Sequence, residues 1–289
     1  MEIFNYLSHI CIIFFIFSFF SLAACVSVGL TGMFNLSFPG IGLCSAYISA
    51  LSAIHVPLPF ELCFVVSCLF GGLIGLGLSA VSNRFKGDYY ALVTFGFNYV
   101  ALTIALNWES VTNGALGLNN IPFESFILDT DNHGAVFLMF GFLFAVAVLV
   151  LVKLKFSPLG RTLMAIREDE LACLSTGRNT FKFKNMSSFV AGVLSGGAGS
   201  LYAHYISYMD PFSIGMHDLV LVLTAIFLGG LHSLRGVLIG TLILTLIPEI
   251  LRFFAIPAAI LGPTRQIIYS LILLTIIWFR PSGIFSEKT

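Results

Sequence analysis

Apolar runs recur along this chain at close to the length that crosses a bilayer. They fall at about 9–28, 36–54, 60–82, 89–107, 133–153, 185–207, 218–233, 236–253 and 264–280, and roughly 20 residues are needed per transmembrane helix. Hydrocarbon offers no water to the backbone, so such runs fold as helices that close their hydrogen bonds internally. The expectation is an all-α, polytopic helical bundle of about eight to ten transmembrane helices, with residues 1–289 forming a single transmembrane domain. Glycines interrupt the pattern from Gly29 to Gly42 and from Gly229 to Gly240. A re-entrant or broken helix there would change the count.

Composition removes the competing classes. Hydrophobic residues make up 58% of the chain and charged residues 10%, against about 25% charged in a soluble domain. A soluble enzyme would expose too much apolar surface, and disorder requires the opposite balance. Fourteen Lys and Arg offset fourteen Asp and Glu, so no electrostatic case exists for nucleic-acid binding. Cys63 and Cys68 lack the second pair or the His of a zinc site, and the six cysteines read as small buried hydrophobes. There is no phosphate-cradling G-x-x-x-x-G-K-[ST], no H-E-x-x-H and no G-x-S-x-G. Asp129 to Gly134 imitates a calcium loop, but Phe140 stands where a bidentate Glu is needed. No catalytic residue, metal site or bound cofactor is expected. Leu22-Ala23-Ala24-Cys25 looks like a lipoprotein cleavage box, yet Met1 to Ile10 carries no Lys or Arg. The run 9–28 therefore reads as a retained helix.

Charge placement sets an orientation. Lys153, Lys155, Arg161, Arg167, Arg178, Lys182 and Lys184 crowd one connection, whereas 108–132 carries Glu109, Glu124, Asp129 and Asp131 without a cation. By the positive-inside rule the basic connection is cytoplasmic and the acidic one outside. Alternation then puts Arg84, Lys86, Arg235, Arg280 and Lys288 inside, leaving Arg252 and Arg265 outside. The C-terminus falls inside and the N-terminus outside.

The basic connection, about 154–184, is too charged to enter lipid. Pro158 suits a first helical turn and Gly177 a C-cap, while Ala165, Ile166, Leu171 and Leu174 form an apolar stripe at near-helical spacing. A short amphipathic helix bearing both signs of charge fits docking to a soluble partner equally with a solvated connector. Gly71, Gly72, Gly75 and Gly77 in one span, with Gly192, Gly196, Gly197, Gly199 and Ser200 in another, predict close helix packing. No span carries the ionisable chain of an ion-coupled carrier. Glu249 and Arg252 read as a local ion pair, Glu61 as interfacial, and His204 as part of an aromatic belt with Tyr202, Tyr205 and Tyr208. Thr94, Asn98 and Thr103 line either a translocation path or helix–helix hydrogen bonds.

Ser157-Pro158-Leu159-Gly160-Arg161 through Ala165-Ile166-Arg167-Glu168-Asp169-Glu170 to Gly177 resembles the cytoplasmic coupling loop of inner-membrane ABC importer permeases. It is similar in particular to a permease subunit of the high-affinity branched-chain amino acid system. Gly29-Leu30-Thr31-Gly32, Gly87 to Gly96, Asn113-Gly114 to Gly117, Ala198 to Tyr205, Leu228 to Gly236 and Phe279 to Gly283 agree in order. The importer motif, E-A-A then three residues and Gly, falls on Leu171-Ala172-Cys173 and Gly177. Its leading Glu is absent, and Cys173 replaces the second Ala.

The resemblance implies the ABC importer permease fold in a bacterial inner membrane. It implies a heterodimer with a second homologous permease, two ABC ATPase subunits beneath, and a periplasmic substrate-binding protein above. ATP would be used by the partner subunits, with no cofactor bound by this chain. The coupling residues would be Arg161, Ala165, Ile166, Arg167, Glu168, Asp169, Glu170, Ala172 and Gly177. The implied substrates are leucine, isoleucine and valine. Within the family the alternative cargo is urea, short amides or another small polar solute, and an ion-coupled secondary carrier is the competing class.

Overall fold

A computed structural model describes residues 2–82, 87–126, 133–253, 258–279 and 283. Helix α1 (Glu2–Ala24) runs on through a π-helical stretch, Cys25–Leu30. Then come α2 (Phe38–His55), α3 (Phe60–Ser82), α4 (Asp88–Asn107), the single turn α5 (Glu109–Thr112) and strand β1 (Leu118–Asn119). They are followed by α6 (His133–Phe156), the short α7 (Pro158–Glu168) and α8 (Glu170–Ser175), α9 (Thr180–Ile206) and β2 (Tyr208–Met209). The chain finishes with α10 (Met216–Gly229), α11 (Leu234–Phe253) and α12 (Ala258–Phe279). All nine expected spans are helices. Among the described residues, seven helices are long and apolar enough to cross a membrane, and α10 is a shorter apolar one. The protein is a multi-pass membrane helical bundle.

Helix α9 lies at the centre, packed against α1, α2 and α3. Its Gly and Ser content lowers its hydropathy but lets its neighbours approach. A Cβ added to Gly192 would stand 2.3 Å from the Gly71 carbonyl oxygen, and one on Gly199 2.2 Å from that of Gly42. The two glycine-bearing spans singled out in the sequence thus meet backbone to backbone. Ser67 Oγ lies within hydrogen-bond distance of the Ser45 carbonyl (3.0 Å) on α2 and of the Gly196 carbonyl (2.8 Å) on α9. Ser49 and Ser200 hydroxyls meet at 2.7 Å. Gly77 faces open space and takes no part.

Breaks in the helices have identifiable partners. Between Gly29 and Gly42 the chain leaves its π-helical turn as an irregular, partly buried segment, 31–37. Non-helical backbone at such a place must be satisfied by protein. Leu36 N–H donates to Thr94 Oγ1 (3.1 Å), Asn98 Nδ2 donates to the Leu36 carbonyl (2.8 Å), and Gly40 N–H donates to Asn98 Oδ1 (2.8 Å). Pro248 sits inside α11 and cannot donate to the carbonyl one turn earlier. Tyr269 Oη on α12 donates to that Leu244 carbonyl at 3.2 Å.

One reading needs correction. His204 is only 1% exposed and sits edge-on to Phe60 with ring centroids 5.1 Å apart. His9 Nδ1 and Tyr205 Oη approach to 2.5 Å. The expected aromatic belt is therefore in part an interior aromatic cluster. Glu61 is bonded by Ser125 Oγ and by Phe126 N–H (3.3 Å), fastening the acidic loop to the start of α3. Arg84, Lys86, Asp129, Asp131, Arg280 and Lys288 lie outside the described residues, as does the side chain of Arg252.

Candidate functional site

The connection 154–184 folds as two short helices rather than one. Ser157 caps α7, its Oγ accepting from Gly160 N–H at 3.2 Å, and Pro158 takes the first turn. At Asp169 the backbone becomes extended, and the Asp169 carboxylate caps α8 by accepting from Ala172 N–H at 3.0 Å. The signal for this second cap was present in the sequence, since Asp is a preferred N-cap residue. Gly177 ends α8 with a φ of 78°. Its N–H donates to the Leu174 carbonyl (3.0 Å) and Arg178 N–H to that of Cys173 (3.3 Å). This pair of bonds is a Schellman closure, which favours glycine at its left-handed position.

The apolar stripe divides at that break. Thr162, Leu163 and Ile166 of α7 are buried, as is Cys173 of α8. Leu171 is 76% exposed and Leu174 48%. Arg161, Ala165, Glu168, Asp169, Ala172 and Gly177 are exposed too. Between the two helices lies a cleft of about 770 Å³ bordered by Arg161, Ala165, Glu168, Asp169, Ala172 and Cys173. Lys184 Nζ and Glu170 Oε1, 2.6 Å apart, tie α8 to the first turns of α9.

Arg167 behaves differently from the other charges. Its side chain is only 14% exposed. Nη1 donates to the Gly29 carbonyl at 2.8 Å and contacts His232 Nδ1 at 2.6 Å, while Nη2 pairs with Glu168 Oε1 at 2.5 Å. The Arg167 stem also covers Gly32, where a Cβ would come within 2.7 Å of its Cγ. Lys155 Nζ bonds the His232 carbonyl at 3.0 Å. One guanidinium thus joins α7 to the π-helical end of α1 and to the turn between α10 and α11. Burial, then the adjacent Arg167 charge, hold His232 below its ordinary pKa. The same His232 Nδ1 lies 3.3 Å from the Gly29 carbonyl. The hydrogen bond and charge of Arg167 hold the Glu168 carboxyl below its usual range. Sequence reasoning selected Arg167 as a surface residue; the fold turns it inward.

Thr94 and Asn98 lie together against segment 31–37, with their polar atoms engaged there. Thr103 is exposed on another part of α4, and its carbonyl accepts from Asn107 Nδ2 at 2.8 Å. These three residues do not form one polar track. Among the described residues no group of three His, Cys, Asp or Glu is arranged to hold a metal ion.

Residues 6–277 match the family described as the permease component of the branched-chain amino acid transport system. The chain is 29% identical over 287 residues to the high-affinity branched-chain amino acid transport system permease protein LivM of Escherichia coli K12. That alignment covers 90% of this chain and 65% of the relative, so the chain spans just under two thirds of that protein's length. It is 24% identical over 211 residues to the LivH permease of the same strain, covering 73% of this chain and 63% of the relative. A solved metal-chelate type ABC transporter in an inward-facing conformation shares the fold. The match has a TM-score of 0.53 at 16% identity and covers 94% of this chain and 87% of the other.

Proposed function

Because the chain belongs to the family of branched-chain amino acid transport permease components, we propose that it is the membrane subunit of an ATP-binding cassette importer. In this reading it passes leucine, isoleucine and valine into the cytoplasm and catalyses no reaction itself. A second, homologous permease completes the translocation path. Two ATPase subunits dock on the cytoplasmic face, and a periplasmic binding protein delivers the amino acid. The relatives of this chain include both LivM and LivH permeases, which supports a pair of different subunits.

The observation that carries this reading is the α7–α8 pair. It presents exposed Leu171 and Leu174 beside an open, charge-rimmed cleft, and Arg167 ties it to two other parts of the bundle. A solvated connector has no use for that combination. Docked ATPases closing on ATP would shift α7–α8, and Arg167 would carry the displacement to the end of α1 and to the α10–α11 turn. Energy then enters through a protein contact.

The test is reconstitution of the permease pair with its ATPases in liposomes, with the binding protein supplied on the outer side. Radiolabelled leucine, isoleucine and valine should accumulate only with internal ATP, and an ionophore should not prevent it. Accumulation of urea or a short amide in place of these amino acids would replace the cargo. Uptake that collapses with an ionophore and survives ATP depletion would overturn the ATP-driven reading.

A further inference from the structure

At the end of the bundle remote from α7–α8 there is a second cavity, of about 750 Å³. It is bordered by α1, the last turns of α9, the first turns of α10, the end of α11 and the start of α12. Helix α9 leads from α7–α8 at Thr180 to this cavity at Tyr202 and Tyr205, along 27 residues. The volume lies within the roughly 300–1,000 Å³ of small-molecule sites, which are mostly apolar with a few polar groups. Ile13, Ile16, Phe17 and Leu221 supply its apolar wall.

Two opposite charges face the same space without pairing to each other. Arg265 borders the cavity, and its Nε is buried with no hydrogen-bond partner among the described residues. A buried, unsatisfied donor of this kind is costly unless a ligand or water meets it. Asp218 borders the cavity as well, its side chain 8% exposed. It accepts from Gly215 N–H at 2.9 Å and lies 3.2 Å from His217 Nε2. A carboxylate has about four lone-pair sites, so capacity remains. Glu249 also lines the wall, but Tyr6 Oη donates to it at 2.5 Å. The cavity therefore offers the Arg265 guanidinium, the carboxylate of Asp218, a second carboxylate, Glu249, already bonded by Tyr6, and an apolar wall.

We propose that this cavity is a low-affinity site within the permease for a zwitterionic amino acid with an apolar side chain. Arg265 takes the carboxylate, Asp218 takes the ammonium group, and Ile13, Ile16, Phe17 and Leu221 receive the side chain. The proposal rests on the importer reading for its cargo, but its evidence is the unpartnered Arg265 Nε and the cavity it borders. Guanidinium matches a carboxylate with two parallel hydrogen bonds. Glutamate would bring a further negative charge beside Glu249 and against the apolar wall, and that mismatch excludes it. The site lies opposite the α7–α8 pair, so cargo would meet it before passing through the bundle.

The experiment uses the complete transporter in nanodiscs without its binding protein and measures equilibrium binding of tritiated leucine. Saturable binding is expected, competed by isoleucine and norleucine and not by glutamate. Arg265→Gln should weaken it by about tenfold or more, Arg265→Lys by less, and Ile13→Trp should block it by filling the cavity. Gel filtration and basal ATPase activity of each variant establish that it is folded and assembled. Absence of saturable leucine binding overturns the site. Unchanged binding in both Arg265→Gln and Ile13→Trp does the same, as does a phospholipid retained in native mass spectra and lost in Arg265→Gln. Leucine uptake driven by the binding protein in the same preparation separates the two claims. Uptake without permease-site binding retires the site alone, whereas absence of leucine uptake retires the importer reading.

Discussion

The seam where α2, α3 and α9 meet and the α7–α8 pair are held in opposite ways. In the seam, glycine carbonyls and Cα atoms touch directly, and hydroxyls of Ser67, Ser49 and Ser200 close the remaining gaps. Contact is continuous and depends on the absence of side chains. The α7–α8 pair has a small buried face, Thr162, Leu163, Ile166 and Cys173, together with a few point contacts through Arg167, Lys184 and Arg178. Packed interiors of the first kind move as a body or not at all. An element of the second kind can shift relative to its neighbours and still pull on them. On the importer reading proposed above, the seam is the part that keeps its shape and α7–α8 the part that passes on a push.

Breaking the seam should have the largest effect. Gly192→Leu would place a side chain where the Gly71 carbonyl stands, with backbone rather than a flexible group in the way. The cost should exceed the about 1–3 kcal/mol of ordinary core overpacking, and the permease should be lost from detergent extracts by size-exclusion chromatography. A folded, monodisperse Gly192→Leu protein would deny that the seam is rigid. Leu171→Glu comes next and tests the other region. Leu171 is exposed, so thermal stability should be unchanged. Affinity for the ATPase subunits should fall by about 2 kcal/mol, roughly thirtyfold, as for a buried interface anchor.

Gly177→Leu should be milder. The position is open in space but left-handed, so the cost is conformational, about 1–2 kcal/mol. Uptake should drop while Gly177→Asn, which tolerates that conformation, retains most of it. The smallest effect concerns pH. His232 has a pKa lowered in the folded protein, so its neutral form is favoured. The associated stability is present above its unfolded pKa of about 6.5 and is lost as pH falls through the lower, folded value. Melting temperature should dip slightly on acidification below neutrality, and His232→Gln should flatten that dip. A dip of equal size in His232→Gln would assign it to other groups.

Much of this division was legible in the sequence, for physical reasons. Apolar runs and bilayer thickness fixed the nine helices, because lipid leaves a long apolar segment little choice. Clustered glycines at Gly71 to Gly75 and Gly192 to Gly199 announced the seam, since small residues in lipid have close packing as their main use. The break at Asp169 was harder to see, because a capping residue inside a charged run is masked by its neighbours. The inward turn of Arg167 was not legible. Its sequence setting is that of a solvated charge, and its partners, Gly29 and His232, come from connections far away in the chain. Arg265 was legible as an isolated charge near a helix end, but the cavity it faces is assembled from five helices.

The direct test of the division is the coupling ratio, leucine molecules imported per ATP hydrolysed, in the reconstituted transporter carrying Arg167→Ala. Removing the Arg167 side chain, which ties α7 to the π-helical end of α1, should leave the ATPases bound and hydrolysing. The ratio should fall by about tenfold, within the range of a 1–3 kcal/mol coupling, and Arg167→Lys should lie between. A coupling ratio equal to that of the unaltered protein in both Arg167→Ala and Arg167→Glu would contradict it.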